Sequence, residues 1–203
     1  MKDKKVRNGG RVLSSILITN NDIIAKEFSY QIPWIYEANA HNMIRNAPQK
    51  TINIRKYGWK EKLKREIKDI EALFIITVLE EKDYDINSEM IGLESLYIFT
   101  AQKMKNICFI ENLLELKTLM ICHSQISDLS PIRKLRIKQD EINKPSFLQL
   151  LCLALIDSKI ADLSSLGDMD FFSEFVVVDN LLPENDSIYL NIVNKTYYFG
   201  SRK

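Results

Sequence analysis

The side chains best equipped for chemistry are few and poorly matched. Two histidines, His41 and His123, are available as proton carriers. His123 directly follows Cys122, where a thiol and an imidazole are neighbours in sequence. A cysteine nucleophile needs a base within hydrogen-bond reach. In a strand, consecutive side chains project to opposite faces, so Cys122 and His123 do not form such a pair. Asp128 and Asp162 would suit general acid–base work as two carboxylates. Each, however, stands in the same setting, Ile126-Ser-Asp128-Leu-Ser130 and Ile160-Ala-Asp162-Leu-Ser164. That recurrence marks turn chemistry, in which a short acidic side chain bonds the backbone two residues on. The acidic run Glu80-Glu81-Lys82-Asp83-Tyr84-Asp85 is read as a solvated turn rather than a cation site. Cys108, Cys122 and Cys152 are odd in number and lack metal-ligand spacing, so they read as reduced, small hydrophobes. There is no glycine-rich phosphate loop, no HExxH and no CxxC, and the chain has six glycines. The expectation is no catalytic site, no cofactor and no metal.

Composition points the same way. A chain of 203 residues, 46% hydrophobic and 27% charged, can bury a core of its own. The formal charge of +1 supplies no field to steer it toward nucleic acid or an anionic surface. Lys2, Lys4, Lys5, Arg7 and Arg11 against Asp3 form a basic arm, read as a solvated terminus with a nucleic-acid role disfavoured. The run Val12-Leu-Ser-Ser-Ile-Leu-Ile18 is too short and too broken by serine for a secretory signal. No apolar stretch approaches the roughly 20 residues that span a bilayer. A cytoplasmic location without membrane contact is expected.

What the sequence does carry is a repeat. Leu116-x-x-Leu119-x-Ile121-x-x-Ser124-x-Ile126-x-Asp128-Leu129-x-x-Ile132 aligns with Leu150-x-x-Leu153-x-Leu155-x-x-Ser158-x-Ile160-x-Asp162-Leu163-x-x-Leu166 at every apolar position, the serine and the aspartate. Carried outward, the apolar pairs are Leu73/Ile75, Leu96/Ile98, Leu119/Ile121, Leu153/Leu155 and Phe175/Val177, spaced 23, 23, 34 and 22 residues apart. Ile52/Ile54 reads as an upstream rung, Leu135/Ile137 as a shortened rung inside the long interval, and Ile188/Leu190 as a closing one. One repeat cannot bury its own apolar row, whereas stacked repeats form a continuous core.

The pattern L-x-x-L-x-L followed by I-x-D-L-x-x-L resembles the bacterial leucine-rich-repeat family of the internalin-like type, with repeats of about 22 residues, over residues 70–180. The resemblance implies an α/β solenoid with a parallel sheet on the concave face and terminal caps. It also implies recognition rather than catalysis. The family prefers Asn or Cys three residues after the second strand apolar; here Val78, Ala101, Ser124, Ser158 and Asn180 stand there, so the inner hydrogen-bond ladder is expected to be weak toward the N-terminus.

Three parts follow: a basic arm and N-terminal cap over 1–50, the solenoid over 51–182, and a capping hairpin over 183–203 that turns at Asn194-Lys195. Trp59, Leu63, Ile67 and Ile70 share one face of a helix that packs on the first rungs. Ser130 and Pro131 look like the start of a helical turn. On the strands, the outward row reads Phe74, Ile76, Tyr97, Phe99, Met120, Arg136, Lys138, Ile156, Val176 and Val178. A mostly apolar row of this kind needs a cover. The candidates are a protein partner, a second copy of the chain, or its own N-terminal segment. The expected function is a protein-interaction module, of the kind seen in inhibitor or immunity-type proteins. The alternative is a self-assembling homodimer.

Overall fold

Each Leu-x-Leu pair places two apolar side chains on one side of an extended segment, and each becomes a strand. A computed structural model of the chain describes residues 15–19, 50–53, 57–66, 70–84, 90, 92–142, 150, 152–167, 172, 174–178, 180–183 and 186–188. In order these form β1 (Ser15–Thr19), β2 (Lys50–Asn53), α1 (Trp59–Glu66), β3 (Ala72–Ile75), β4 (Ser95–Ile98), β5 (Thr118–Cys122), α2 (Ser130–Glu141), β6 (Cys152–Ile156) and β7 (Glu174–Val178), with short 3-10 helices at Cys108–Asn112 and Ser164–Leu166. The strands make one seven-stranded sheet in the order β2-β1-β3-β4-β5-β6-β7. Every pairing is parallel.

The register is the one the repeat predicts. Leu73 pairs with Leu96, Leu96 with Leu119, Leu119 with Leu153 and Leu153 with Phe175. These side chains, with Ile75, Ile98, Ile121 and Leu155, are almost wholly buried and face a single core. Its other wall comes from the connections between strands: Ile110 of the first 3-10 helix, Ile132 and Leu135 of α2, and Leu166 of the second 3-10 helix. The coils also bond one another away from the sheet, Gln125 N–H to Met104 C=O at 2.9 Å, Lys159 N–H to Ile126 C=O at 2.9 Å and Leu181 N–H to Ile160 C=O at 2.8 Å. Charged side chains repeat the spacing: Lys60 meets Asp83, Lys103 meets Glu80, and Lys134 meets Glu111 at 3.0 Å, each pair 23 residues apart. Side chains one coil apart are neighbours, so the period sets the ion pairs too.

Two rungs differ from the sequence expectation. Leu135/Ile137 is not a shortened strand but part of α2. The apolar set there is Ile132, Leu135 and the buried Gln139, spaced three and four residues as one helical face requires, while Ile137 is 46% exposed. Ile52 is not the neighbour of Leu73 either. β1 lies between, pairing Ile16 with Leu73 and Ile18 with both Ile75 and Ile52. The sheet thus begins inside the stretch assigned to the N-terminal cap. Leu63 of α1 is fully buried, Trp59 packs against the same core and Ile70 is buried beyond the helix end. Gly58 supplies the left-handed turn, φ 74°, that leads into α1, and its carbonyl accepts from Lys62 N–H at 3.0 Å. The basic arm, Ile54, Ile67, Leu190 and the Asn194-Lys195 turn lie outside the described residues.

Candidate partner-binding face

Because strand side chains alternate, the sheet has a second face, and the register sorts it into rows running across the strands. The middle row is Phe74, Tyr97, Met120, Ala154 and Val176. The row at the C-terminal ends of the strands contains Cys122, Ile156 and Val178, paired in that order. Ile76 and Phe99 continue it, since Phe99 N–H bonds Ile75 C=O at 2.9 Å and Ala101 N–H bonds Cys122 C=O at 3.1 Å. In-register strands about 4.8 Å apart bring like side chains face to face. Phe74 and Tyr97 accordingly stack with centroids 4.9 Å apart and planes 13° from parallel.

This face is not a bare stripe. Phe74, Tyr97, Met120 and Cys122 are 4%, 7%, 3% and 3% exposed in a single copy of the chain. With Ala72 they form a second core cluster, separate from the first. Ile76, Phe99, Ala154 and Ile156 pack against it but stay partly open. Of the residues expected to bind a partner, the structure brings Phe74, Ile76, Tyr97, Phe99, Met120 and Ile156 together, and Val176 is buried on the neighbouring strand. Val178 lies on β7, and its side chain is outside the described set. Arg136 and Lys138 are corrected: both sit on α2, on the far side of the core from this face. Arg136 Nη1 donates to Leu150 C=O at 3.1 Å and Lys138 Nζ to Asn112 Oδ1 at 3.1 Å.

Past the strand ends the chain turns sharply. His123 and Asp157 hold equivalent places after β5 and β6, and both have left-handed backbones, φ 57° and 47°. Histidine and aspartate are among the non-glycine residues that tolerate this region. Their side chains meet, His123 Nδ1 to Asp157 Oδ2 at 2.7 Å, and both are about half exposed. The aligned repeats contained the signal for this pair, because His123 and Asp157 each precede a ladder serine. Cys122 points the other way into the second cluster. Burial, with Asp157 adding to it, pushes its thiol up to about 12, so it stays protonated at neutral pH and is no nucleophile.

Directly inside the turns runs a buried ladder. Ser124 Oγ donates to Ser158 Oγ at 2.7 Å and accepts from Ile126 N–H at 3.3 Å. Asn180 continues it, its Nδ2 donating to Leu155 C=O at 3.0 Å and its Oδ1 accepting from Ile160 N–H at 3.3 Å. Parallel in-register rungs, one per coil, with a polar ladder at the first turn and helical pieces on the opposite side of the core, decide the architecture. The fold is a leucine-rich-repeat solenoid.

No family model matches the sequence, and no curated protein matches it. Among solved structures the chain is similar to an internalin C2 from Listeria monocytogenes, at 22% identity and TM-score 0.49, over 72% of this chain and 58% of that one. It is also similar to an internalin from the inlF gene of the same organism, at 16% identity and TM-score 0.42, over 79% of this chain and 54% of that one. The chain therefore spans little more than half the length of either.

The Asp-Leu-Ser turns behave as turn caps. Asp128 accepts from Ser130 N–H and Ser130 Oγ–H, both at 2.8 Å, and Asp162 accepts from Ser164 N–H at 2.7 Å and Ser164 Oγ–H at 2.6 Å. The carboxylate, not Ser130, is thus the capping acceptor, while Pro131 does occupy the first turn of α2. The acidic turn is engaged by its neighbours: Glu80 with Lys103, Glu81 with Asn106 and Asp83 with Lys60. The repeat pattern does not single out Gln139. It is fully buried, donates Nε2 to Leu114 C=O at 3.0 Å and Leu116 C=O at 3.1 Å, and accepts from Leu150 N–H at 3.0 Å. One amide thus satisfies three backbone groups where the 34-residue repeat departs from the regular coil. No helix among the described residues is long and apolar enough to cross a membrane, and no described cluster of His, Cys, Asp and Glu is suited to a metal ion.

Proposed function

We propose that the chain is a protein-interaction module that meets its partner with the C-terminal rim of the sheet's second face, and that it acts by masking that partner, as an inhibitor or immunity-type protein does. The observation that carries this reading is the graded burial of the face. Its middle row is closed at Phe74, Tyr97, Met120 and Val176, whereas Ile76, Phe99 and Ile156 remain partly open on either side of the buried Cys122, beside the polar His123–Asp157 pair. An apolar strip with a polar rim is the usual anatomy of an interface, and aromatic residues carry a large share of its energy. A homodimer through the middle row is disfavoured, because Phe74, Tyr97, Met120 and Val176 are already buried in one copy. A cytoplasmic site of action belongs to the same reading; Cys108, Cys122 and Cys152 form no disulfide.

The test separates the two rows. In Phe99→Ser and Ile156→Asp, cross-linking in the native cell should lose the partner that the unchanged chain captures, while thermal unfolding stays cooperative with a loss on the order of 1 kcal/mol. Capture of the same partner by both variants would refute the proposed rim. Tyr97→Ser, in contrast, should destabilise the fold itself by about 3 kcal/mol.

A further inference from the structure

The turn that follows β3 holds its charges outward and its ring inward. Glu80, Glu81 and Asp83 are engaged by Lys103, Asn106 and Lys60, yet Tyr84 at the end of the same turn is 3% exposed and belongs to the core that faces Leu73 and Leu96. Its ring stacks on the partly buried Phe109, with centroids 6.5 Å apart and planes 10° from parallel. The pair borders two spaces. One is an open groove along Glu80, Glu81, Lys82 and Asn106; the other is a small cavity among Leu63, Leu73, Leu79, Asp83 and Met90. The Tyr84 hydroxyl is closed to solvent and finds no hydrogen-bond acceptor in the protein. Burial pushes it up to about 12, so at neutral pH it keeps a proton that it has to donate.

Buried polar groups that lack a protein partner are satisfied by ordered water, provided that the space admits one and offers it a second polar contact. Both conditions are met. The cavity has a volume of about 10 Å³, which is the room of a single water. Asp83 lines it too, and since its Oδ1 accepts from Lys60 of α1, its Oδ2 is left to accept from another donor. We infer that this cavity is a hydration site, in which one long-lived water accepts from the Tyr84 hydroxyl and donates to the Asp83 carboxylate. The aliphatic walls hold it in place without competing for it. The resulting link, Tyr84 to water to Asp83 to Lys60, ties the turn after β3 to α1 in the half of the molecule where Val78 and Ala101 supply no serine ladder. The site is independent of the partner-binding face.

Oxygen-17 magnetic relaxation dispersion of the full chain tests it, because the oxygen nucleus counts internal waters and is blind to exchanging hydroxyl protons. Tyr84→Phe is nearly isosteric and removes only the donor; the dispersion amplitude is expected to fall by the share of one water, with the methyl spectrum of the core intact. Asp83→Ala, at the other end of the link, is expected to lower it by the same share. In the unchanged chain, a nuclear Overhauser effect from water to the Met90 methyl is expected, and this measurement does not depend on how either variant folds. An amplitude unchanged in Tyr84→Phe or in Asp83→Ala, or no Overhauser effect at Met90 in the unchanged chain, would each overturn the inference.

Discussion

The coils around β5, β6 and β7 and those around β3 and β4 share one register but are held together differently. In the C-terminal coils the polar groups at the turns are hydrogen-bonded: Ser124 to Ser158, Asn180 to the backbone of the preceding coil, and Asp128 and Asp162 to their own serines. In the N-terminal coils the ladder positions are Val78 and Ala101, which have nothing to donate, and the neighbouring Thr100 hydroxyl is buried without a hydrogen-bond partner. There the second face supplies the cohesion instead, through the Phe74–Tyr97 stack, with exposed ion pairs such as Glu80–Lys103 outside. A repeat can thus keep its geometry on apolar rows alone, with buried hydrogen bonds fixing the turns where the sequence provides them.

Four substitutions or conditions sharpen that contrast, the largest effect first. Gln139→Leu would strand two carbonyls and one amide in the core and should cost at least 3 kcal/mol by denaturant unfolding, since each unpaired buried group costs about 1–3 kcal/mol. A loss below 1 kcal/mol would show that the long repeat does not depend on this amide. Ser158→Ala breaks the buried ladder and should cost about 1–2 kcal/mol, with amide exchange accelerating first around Ser124 and Ile126. The equivalent Val78→Ser, whose neighbour in the next coil is Ala101, should bring no gain.

The third concerns pH. The Ser164 hydroxyl first, and its backbone N–H second, hold the Asp162 carboxyl below its ordinary range. The folded state thus favours the charged form. This contribution is complete above the usual carboxylate pKa and is lost as pH falls through the depressed value. Acid titration followed by NMR should show the turn at Asp162 loosening only below the range of an unpaired aspartate; loosening at higher pH would contradict the capping geometry. The smallest effect is expected at Lys103→Ala. Its pair with Glu80 is more than half exposed on both sides, so the change should stay within about 0.5 kcal/mol and vanish at high salt.

Much of this was legible in the sequence because apolar residues at fixed spacing leave few alternatives. The two aligned repeats placed β5 and β6 in register and identified Asp128 and Asp162 as turn residues. Three features were hidden for physical reasons. Leu135 and Ile137 are two apart, the strand period, so the pair masks the helical set Ile132, Leu135 and Gln139, whose third member is polar. β1 enters the sheet between two segments that follow it in the chain, and order in sequence says nothing of an insertion of this kind. The outward row of the sheet was visible as apolar, but its burial depends on what lies across it, which periodicity within the strands does not encode.

Everything rests on the ladder, and methyl–methyl nuclear Overhauser effects in leucine-labelled protein measure it most directly. Contacts are expected to link Leu73 to Leu96, Leu96 to Leu119 and Leu119 to Leu153, with none joining Leu73 directly to Leu119. Contacts that skip a rung, or the absence of a contact between Leu119 and Leu153, would contradict the parallel, in-register coil.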